Sequence, residues 1–360
     1  MSKTIGWDIG GAHLKAVLLD ESGAVLQVLQ LPCTLWRGLN YLEIAINYAL
    51  RAFKIEPAGV HHAITMTGEL VDLFVNRHEG VVEISNSVTK LFGKDTLFYA
   101  VDNGSGASFV SLEHVSKFSA SVASTNWHAS ASALAMYVQD ALLIDIGSTT
   151  TDIVAIERGK VKSLSLSDAS RMTDDSLVYT GVVRTPVMAL TQKLVFENLE
   201  TNIAAEYFAT MADVYRLTGE LLPEYDQAET ADSKGKTALE SARRLARMLG
   251  HDVENHSMEI WKNLAETCKA LQVNQIKTAV LKHLKPNMKI IGAGVGSFLV
   301  KQIAGDLKHE FMPACSPISI SLPDNINVDL KALETCFTAF AVATLAKNQL
   351  TKIQTTDLDA

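Results

Sequence analysis

One short pattern occurs twice in this chain, and it constrains the fold more than any bulk property. The first copy runs through Ile5, Gly6, Trp7, Asp8, Ile9, Gly10, Gly11, Ala12, His13, Leu14 and Lys15. The second runs through Leu142, Leu143, Ile144, Asp145, Ile146, Gly147, Ser148, Thr149, Thr150, Thr151 and Asp152. In each copy an apolar run ends in Asp-Ile-Gly, a turn of small residues follows, and a second apolar run leaves it. Asp8 aligns with Asp145, Gly10 with Gly147, and Lys15 with Asp152. Further turns at Gly23 and Gly159 lead to third apolar runs over residues 24–31 and 161–166. Each copy therefore predicts a three-stranded antiparallel meander.

The turn chemistry favours an anion. Gly10 and Gly147 tolerate positive φ because they lack a Cβ. Gly11, Ser148, Thr149 and Thr150 keep the turns small, so backbone N–H groups can face a phosphate, and the hydroxyls add donors. Asp8 and Asp145 end their strands, where a carboxylate can reach Mg²⁺ or a water on it; that ion takes few protein ligands. Two ordinary hairpins with acidic tips are the simpler alternative, weakened by the matching placement of the copies. A third cluster, Gly292, Gly294 and Gly296, follows an apolar run and opens a helix pattern. Close backbone approach to a nucleotide base or ribose is its functional reading. It is not the dinucleotide fingerprint, because no such turn follows the first strand.

With 360 residues the chain exceeds one ordinary core, and domains of about 100–200 residues predict two. The net charge of -8, without a basic block, argues against nucleic acid or an anionic membrane as partner. No apolar run approaches the about 20 residues of a membrane span. Ser2 and Lys3 lead directly into the first apolar run without a signal-peptide core, so a cytoplasmic location is expected. Cys33, Cys268, Cys315 and Cys336 are scattered, which predicts buried reduced thiols and neither zinc nor disulfides. His61 and His62 would point to opposite faces of a strand, and His251 and His256 lack helical spacing for a shared ion.

Apolar spacing predicts helices over residues 38–52, 69–78, 200–217, 237–249, 255–284 and 330–345. It predicts strands over 60–66, 97–101, 107–112 and 318–322. Residues 115–138, rich in Ala and Ser, read as one long helix crossing between lobes. Residues 226–236 read as an exposed loop and 351–360 as a flexible tail. Arg243, Arg244 and Arg247 read as a solvated helix face.

The three glycine elements, in this order, resemble those of the superfamily of actin, sugar kinases and Hsp70 chaperones. Other stretches narrow the resemblance: Thr65 to Leu70 with Gly68 and Glu69; Asn126, Trp127 and His128; Gly181, Val182, Val183, Arg184, Thr185 and Pro186; and Glu206, Tyr207, Met211 and Asp213. Over about residues 4–345 the chain is similar to the hydantoinase/oxoprolinase-related family of tetrahydromethanopterin-linked C1 metabolism, whose archaeal members act in methanofuran synthesis. The resemblance implies an α/β fold, with two ribonuclease-H-like lobes of the actin-like ATPase superfold, mixed sheets and a central cleft. The first lobe is expected over 1–138 plus a helix at about 330–348, and the second over 139–329 with helical insertions.

The resemblance also implies a transferase. Such an enzyme joins an aminomethylfuran carrying a CH₂-diphosphate to the phenol oxygen of a γ-glutamyltyramine-like acceptor and releases diphosphate. A tyrosine or glutamylated derivative is an alternative acceptor. Asp8, Lys15, Glu69 and Asp145 are the candidate catalytic residues, with Mg²⁺ at Asp8 and Asp145. Glu69 could take the phenol proton, or merely cap a helix start. Lys15 could meet phosphate, or pair with Asp152 across the lobes. Asn126, Trp127 and Arg184 are candidate substrate contacts, Trp127 by stacking, with core packing as its equal alternative, and Arg184 as an anion clamp. An ATP-dependent kinase, an ATP-dependent cyclic-amide hydrolase and a nucleotide-binding scaffold are the alternatives. The oligomeric state is left open by the sequence.

Overall fold

Alternating apolar residues and glycine turns build β1 (Thr4–Ile9), β2 (His13–Leu19) and β3 (Val25–Pro32) of the first meander. They are followed by α1 (Leu39–Phe53), β4 (His61–Met66), α2 (Arg77–Phe92), β5 (Thr96–Asp102), β6 (Gly106–Val110), α3 (Leu112–Val115), α4 (Ser119–Val122) and α5 (Asn126–Ala135). The second meander is β7 (Ala141–Ile146), β8 (Thr151–Glu157) and β9 (Lys160–Lys162). Then come α6 (Asp168–Thr173), β10 (Leu177–Val178), β11 (Lys193–Phe196), β12 (Leu199–Asn202), α7 (Met211–Thr218), α8 (Ala238–Arg247) and α9 (Met258–His283). The chain ends with β13 (Lys289–Ala293), α10 (Ser297–Leu307), β14 (Phe311–Pro313), α11 (Leu330–Thr335) and α12 (Phe337–Leu358). This computed structural model describes residues 2–93, 95–102, 106–163, 165–318, 320–322 and 328–358, with side chains described to residue 352. The chain divides into two units: Met1–Ala141, Val154–Ser170 and Pro313–Ala360 form one, and Leu142–Ile153 and Arg171–Met312 the other.

The first unit holds a six-stranded sheet of order β3-β2-β1-β4-β5-β6. β1 runs antiparallel to β2 and parallel to β4. Period-two alternation sends Ile5, Trp7 and Ile9 into a core with Leu42, Ile46, Ile84 and Val88. Burying each such side chain contributes about 1.5–3 kcal/mol. The opposite face, with Ala63, Tyr99 and Val101, packs on Ala129 of α5 and Val342 and Ala346 of α12. Gly6 lies on that face, where a Cβ would overlap the carbonyl of Ala339 in α12.

The second sheet has the order β10-β8-β7-β13-β14, with β9 antiparallel to β8. In the second unit α7, α8 and α9 pack on one another, around buried Tyr215, Leu245, Trp261 and Ile276. Among the described residues no helix is long and apolar enough to cross a membrane.

Several sequence expectations need correction. The long helix over 115–138 is two shorter ones, α4 and α5, separated where Ala123 is extended and Ser124 takes φ 52°. The helix over 69–78 is a single 3-10 turn, Gly68–Leu70, and α2 starts only where Asn76 caps it by accepting from the Glu79 N–H. Most of 200–217 is not helical: β11 and β12 form a hairpin, and the Ala204 N–H is held by Met248 O before Thr210 and Asp213 box the start of α7. The third strand of the second meander stops at Lys162. The described residues of 318–322 form no strand, although Ser321 O accepts the Val25 N–H. Helix α12 reaches Leu358, where a tail was expected. Arg244 is buried, since Asp213 and Asp232 neutralise it at 2.8 and 2.9 Å. Asp226, placed in an exposed loop, is likewise buried against Arg216.

Candidate active site

In the first unit the β1–β2 turn closes with the Gly10 N–H donating to His13 O at 2.9 Å. Asp8 lies opposite Lys15 on β2 and beside Thr65 on β4, and Lys15 Nζ stands 3.8 Å from Asp8 Oδ2. The ion pair of Lys15 is thus with its strand neighbour. After β4 the Thr67 N–H donates to Ile9 O. Gly68 follows so closely that a Cβ there would meet Ile9 O at 3.2 Å and Gly10 O at 3.4 Å. The backbone carrying Glu69 is therefore set directly against the first glycine turn. Val71 packs on Gly11 from the same segment.

Glu69 is 1% exposed. Its Oε1 accepts from Ser124 Oγ at 2.6 Å, while Oε2 is buried without a hydrogen-bond partner among the described residues. Gly80 of α2 lies on its backbone, where a Cβ would stand 2.6 Å from Glu69 O. Burial pushes the Glu69 carboxyl up to about 7, against the opposing pull of the Ser124 hydroxyl, its own backbone N–H and, more weakly, Arg77. A buried carboxylate with one unsatisfied oxygen and a neutral-range pKa has the properties of a general base. Glu69 also lies in the first turn of its 3-10 helix and meets its own backbone N–H, so the capping role stands beside this one. Ser124, missed in the sequence, left no signal there beyond its position in an Ala/Ser run.

Asn126 is half-buried and opens α5 beside this break. For Trp127 the burial favours the core alternative: it is 2% exposed and meets the His128 ring edge-on at 5.3 Å. His62 is also structural, held by Trp7 Nε1 and Pro57 O, stacked on Phe92 and pushed by burial down to about 4.

In the second unit the Gly147 N–H donates to Thr150 O at 2.9 Å, repeating the first turn. A loop after β10 locks onto it. The Val182 N–H donates to Gly147 O, and those of Val183 and Arg184 to Ser148 O. A Cβ on Gly181 would stand 2.5 Å from Ser148 C and Thr149 N. Arg184 is exposed and is carried to the tip by its own backbone. Behind the loop, buried Gln272 donates to Thr180 Oγ1 at 2.7 Å and Gly181 O at 2.9 Å, and accepts from Tyr215 Oη at 2.5 Å. Asp213, bound to Arg216 and Arg244, fixes the start of α7, whose Met211 and Ala212 N–H groups hold Thr185 O and Val183 O. Gln272 and Asp213 act through tertiary contacts that sequence spacing does not reveal. Asp152, the aligned counterpart of Lys15, pairs with buried Arg171 at 2.9 Å.

The third glycine turn meets the same strand end. Gly294 takes φ 79°, and a Cβ there would overlap Asp145 Oδ1 and Ile146 O. The Gly296 N–H donates to Ile146 O at 2.8 Å. Gly292 is needed for packing on Phe311 and Ser297. Asp145, Gly147, Ser148, Thr149, Thr150, Gly181, Arg184, Gly294 and Gly296 thus form one constellation in the second unit.

Among the described residues no three His, Cys, Asp or Glu side chains gather as a metal cluster. The surroundings of Asp145 nevertheless fit Mg²⁺: a carboxylate at the end of β7, approached by Gly294 without a side chain and followed by Ser148, Thr149 and Thr150 in the turn, suits an ion that takes few protein ligands and retains several waters. Asp8 fits less well, because Lys15 already supplies it with a cation.

A hydantoinase/oxoprolinase family model matches residues 61–315. A curated relative from Methanocaldococcus jannaschii, named (4-{4-[2-(gamma-L-glutamylamino)ethyl]phenoxymethyl}furan-2-yl)methanamine synthase, is 28% identical over 352 residues, 97% of this chain and 98% of that one. A relative of the same name from Methanococcus vannielii is 30% identical over 220 residues, 59% of this chain and 93% of that one. Among solved structures, nucleotide-free acetone carboxylase has a TM-score of 0.56 at 10% identity, covering 94% of this chain and 70% of that one. At that identity the likeness speaks for the fold, and it agrees with the α/β, actin-like ATPase superfold expected from the sequence. The chain belongs to the hydantoinase/oxoprolinase family.

Proposed function

We propose that this chain is a transferase that forms an aryl-alkyl ether from an aminomethylfuran CH₂-diphosphate and the phenol of a γ-glutamyltyramine-like acceptor. The name of the two curated relatives supports the furan and phenoxy chemistry. The observation in this chain that carries the reading is Glu69, a buried carboxylate with one unsatisfied oxygen behind the first glycine turn. In the proposed step the bond between the furan CH₂ carbon and a diphosphate oxygen breaks, and a bond to the phenol oxygen forms. The phenol proton goes to Glu69, and diphosphate leaves. Each glycine turn by itself, Gly10 and Gly11 in the first unit and Gly147, Ser148, Thr149 and Thr150 in the second, offers backbone N–H donors to phosphate oxygens, and fixed donors of this kind stabilise developing charge.

Lys15 supplies a cation held in place by Asp8, and Arg184 clamps an anionic group. Mg²⁺, when bound, would be held by Asp145 at the second glycine turn, with Ser148, Thr149 and Thr150, and would neutralise phosphate charge there. Incubation with the furan diphosphate and the phenol should give diphosphate and the ether in equal amounts, and Glu69→Gln should lose both. If ATP is instead the occupant of the glycine turns, γ-phosphate transfer to a small molecule replaces diphosphate release.

A further inference from the structure

Arg77 opens α2, and Gly80, three residues on, lies against the backbone of Glu69. Residues three apart share a helix face, so Arg77 rises from the side of α2 that lies against the Glu69 backbone. Its guanidinium is nonetheless engaged elsewhere: Nη2 donates to Asp168 Oδ2 at 2.7 Å, and Asp168 is buried at the start of α6. We infer that Asp168 is a positioning residue for Glu69, which holds the Arg77 guanidinium to itself and so leaves Glu69 as the group that takes up the proton. This rests on the role of Glu69 as base proposed above.

Among the described residues, the other polar groups near this segment have partners or face solvent. Of the first turn of α2, His78 meets Ser119 Oγ and Glu79 accepts the Val75 N–H. The break after α4 contributes the Ser124 hydroxyl. The first glycine turn presents backbone carbonyls, with Asp8 and Lys15 paired behind it. Asp72 is exposed. Arg77 and Asp168 are the charges that act on Glu69, the first favouring its ionised form and the second its protonated form. A guanidinium released onto a buried carboxylate would form an ion pair and hold it ionised, which makes a weak base.

The test reads the proton on Glu69 without any substrate. The melting temperature is followed from pH 4 to 9 for the full chain, for Asp168→Asn and for Arg77→Gln, each with and without Glu69→Gln. Asp168→Asn should move the Glu69-dependent midpoint down by about one pH unit and Arg77→Gln should move it up; Asp168→Glu should restore it. An ion pair with a purely structural role would lower the melting temperature equally at every pH, leave the midpoint in place and overturn the inference. The midpoint is defined whether or not the furan chemistry is found, so the two proposals fail separately. If both hold, the kcat/KM profile shifts in parallel.

Discussion

Ser124 donates its hydroxyl to Glu69 Oε1 across 2.6 Å, tying the break between α4 and α5 to the 3-10 turn that follows β4. The donor favours the ionised carboxylate, and the left-handed φ of 52° at Ser124 is maintained beside it. Ser124→Ala should therefore move the rising limb of the kcat/KM profile to higher pH. Glu69→Gln should lower kcat by about 10²–10⁴-fold, the usual contribution of a positioned base. Steady-state rates of diphosphate release between pH 5 and 9 measure both effects.

The same carboxyl makes stability depend on pH. Its folded-state pKa, about 7, lies above the ordinary 4.5. The folded chain therefore holds a proton that the unfolded chain gives up between these values. The resulting stabilisation is complete below about 4.5 and is lost as the pH rises through about 7. Relative to Glu69→Gln, the unmodified chain should lose up to about 3 kcal/mol across this window. Urea unfolding of both proteins at pH 4.5 and 8 measures the difference.

Gly181 tests the loop over the second turn. A Cβ there meets backbone atoms of Ser148 and Thr149 that have no side-chain freedom to yield. Gly181→Ala should cost about 1–3 kcal/mol of stability and displace the second glycine turn, with a fall in activity beyond what unfolding explains. Gly305→Ala is the control: nothing lies within 4 Å of its Cβ position in α10, so it should be neutral or slightly stabilising. Thermal melts and rates on both variants separate the two effects.

Arg184 tests the clamp. Arg184→Ala should raise KM for the anionic substrate about 10-fold or more while leaving the melting temperature near that of the unmodified chain, since the side chain is exposed. Arg184→Lys should restore only part of the loss, because an ammonium lacks the planar fork.

The meanders were legible because each one carries its own instructions: alternation that ends at Asp8 or Asp145, followed by a glycine turn. Gly68, Glu69, Gly181 and Arg184 could be found because they fall in short motifs next to those turns. What was not legible depends on tertiary partners. Nothing local shows that Ser124 must break a run of good helix formers to reach Glu69, or that Arg244 is drawn inward by Asp213 and Asp232. The apolar spacing of residues 200–217 imitated a helix because a strand edge, an extended segment and α7 lie in succession. Trp127 read equally as a stacking platform or as core, and its burial decides for core.

The most direct measurement combines the purified chain, Mg²⁺, the aminomethylfuran CH₂-diphosphate and γ-glutamyltyramine, with mass spectrometry of the product and an assay for diphosphate. The predicted result is an ether of the combined mass less diphosphate, formed one-for-one with diphosphate and suppressed in Glu69→Gln. Ether formation undiminished in Glu69→Gln, or transfer of γ-phosphate from ATP with no ether formed, would contradict the account.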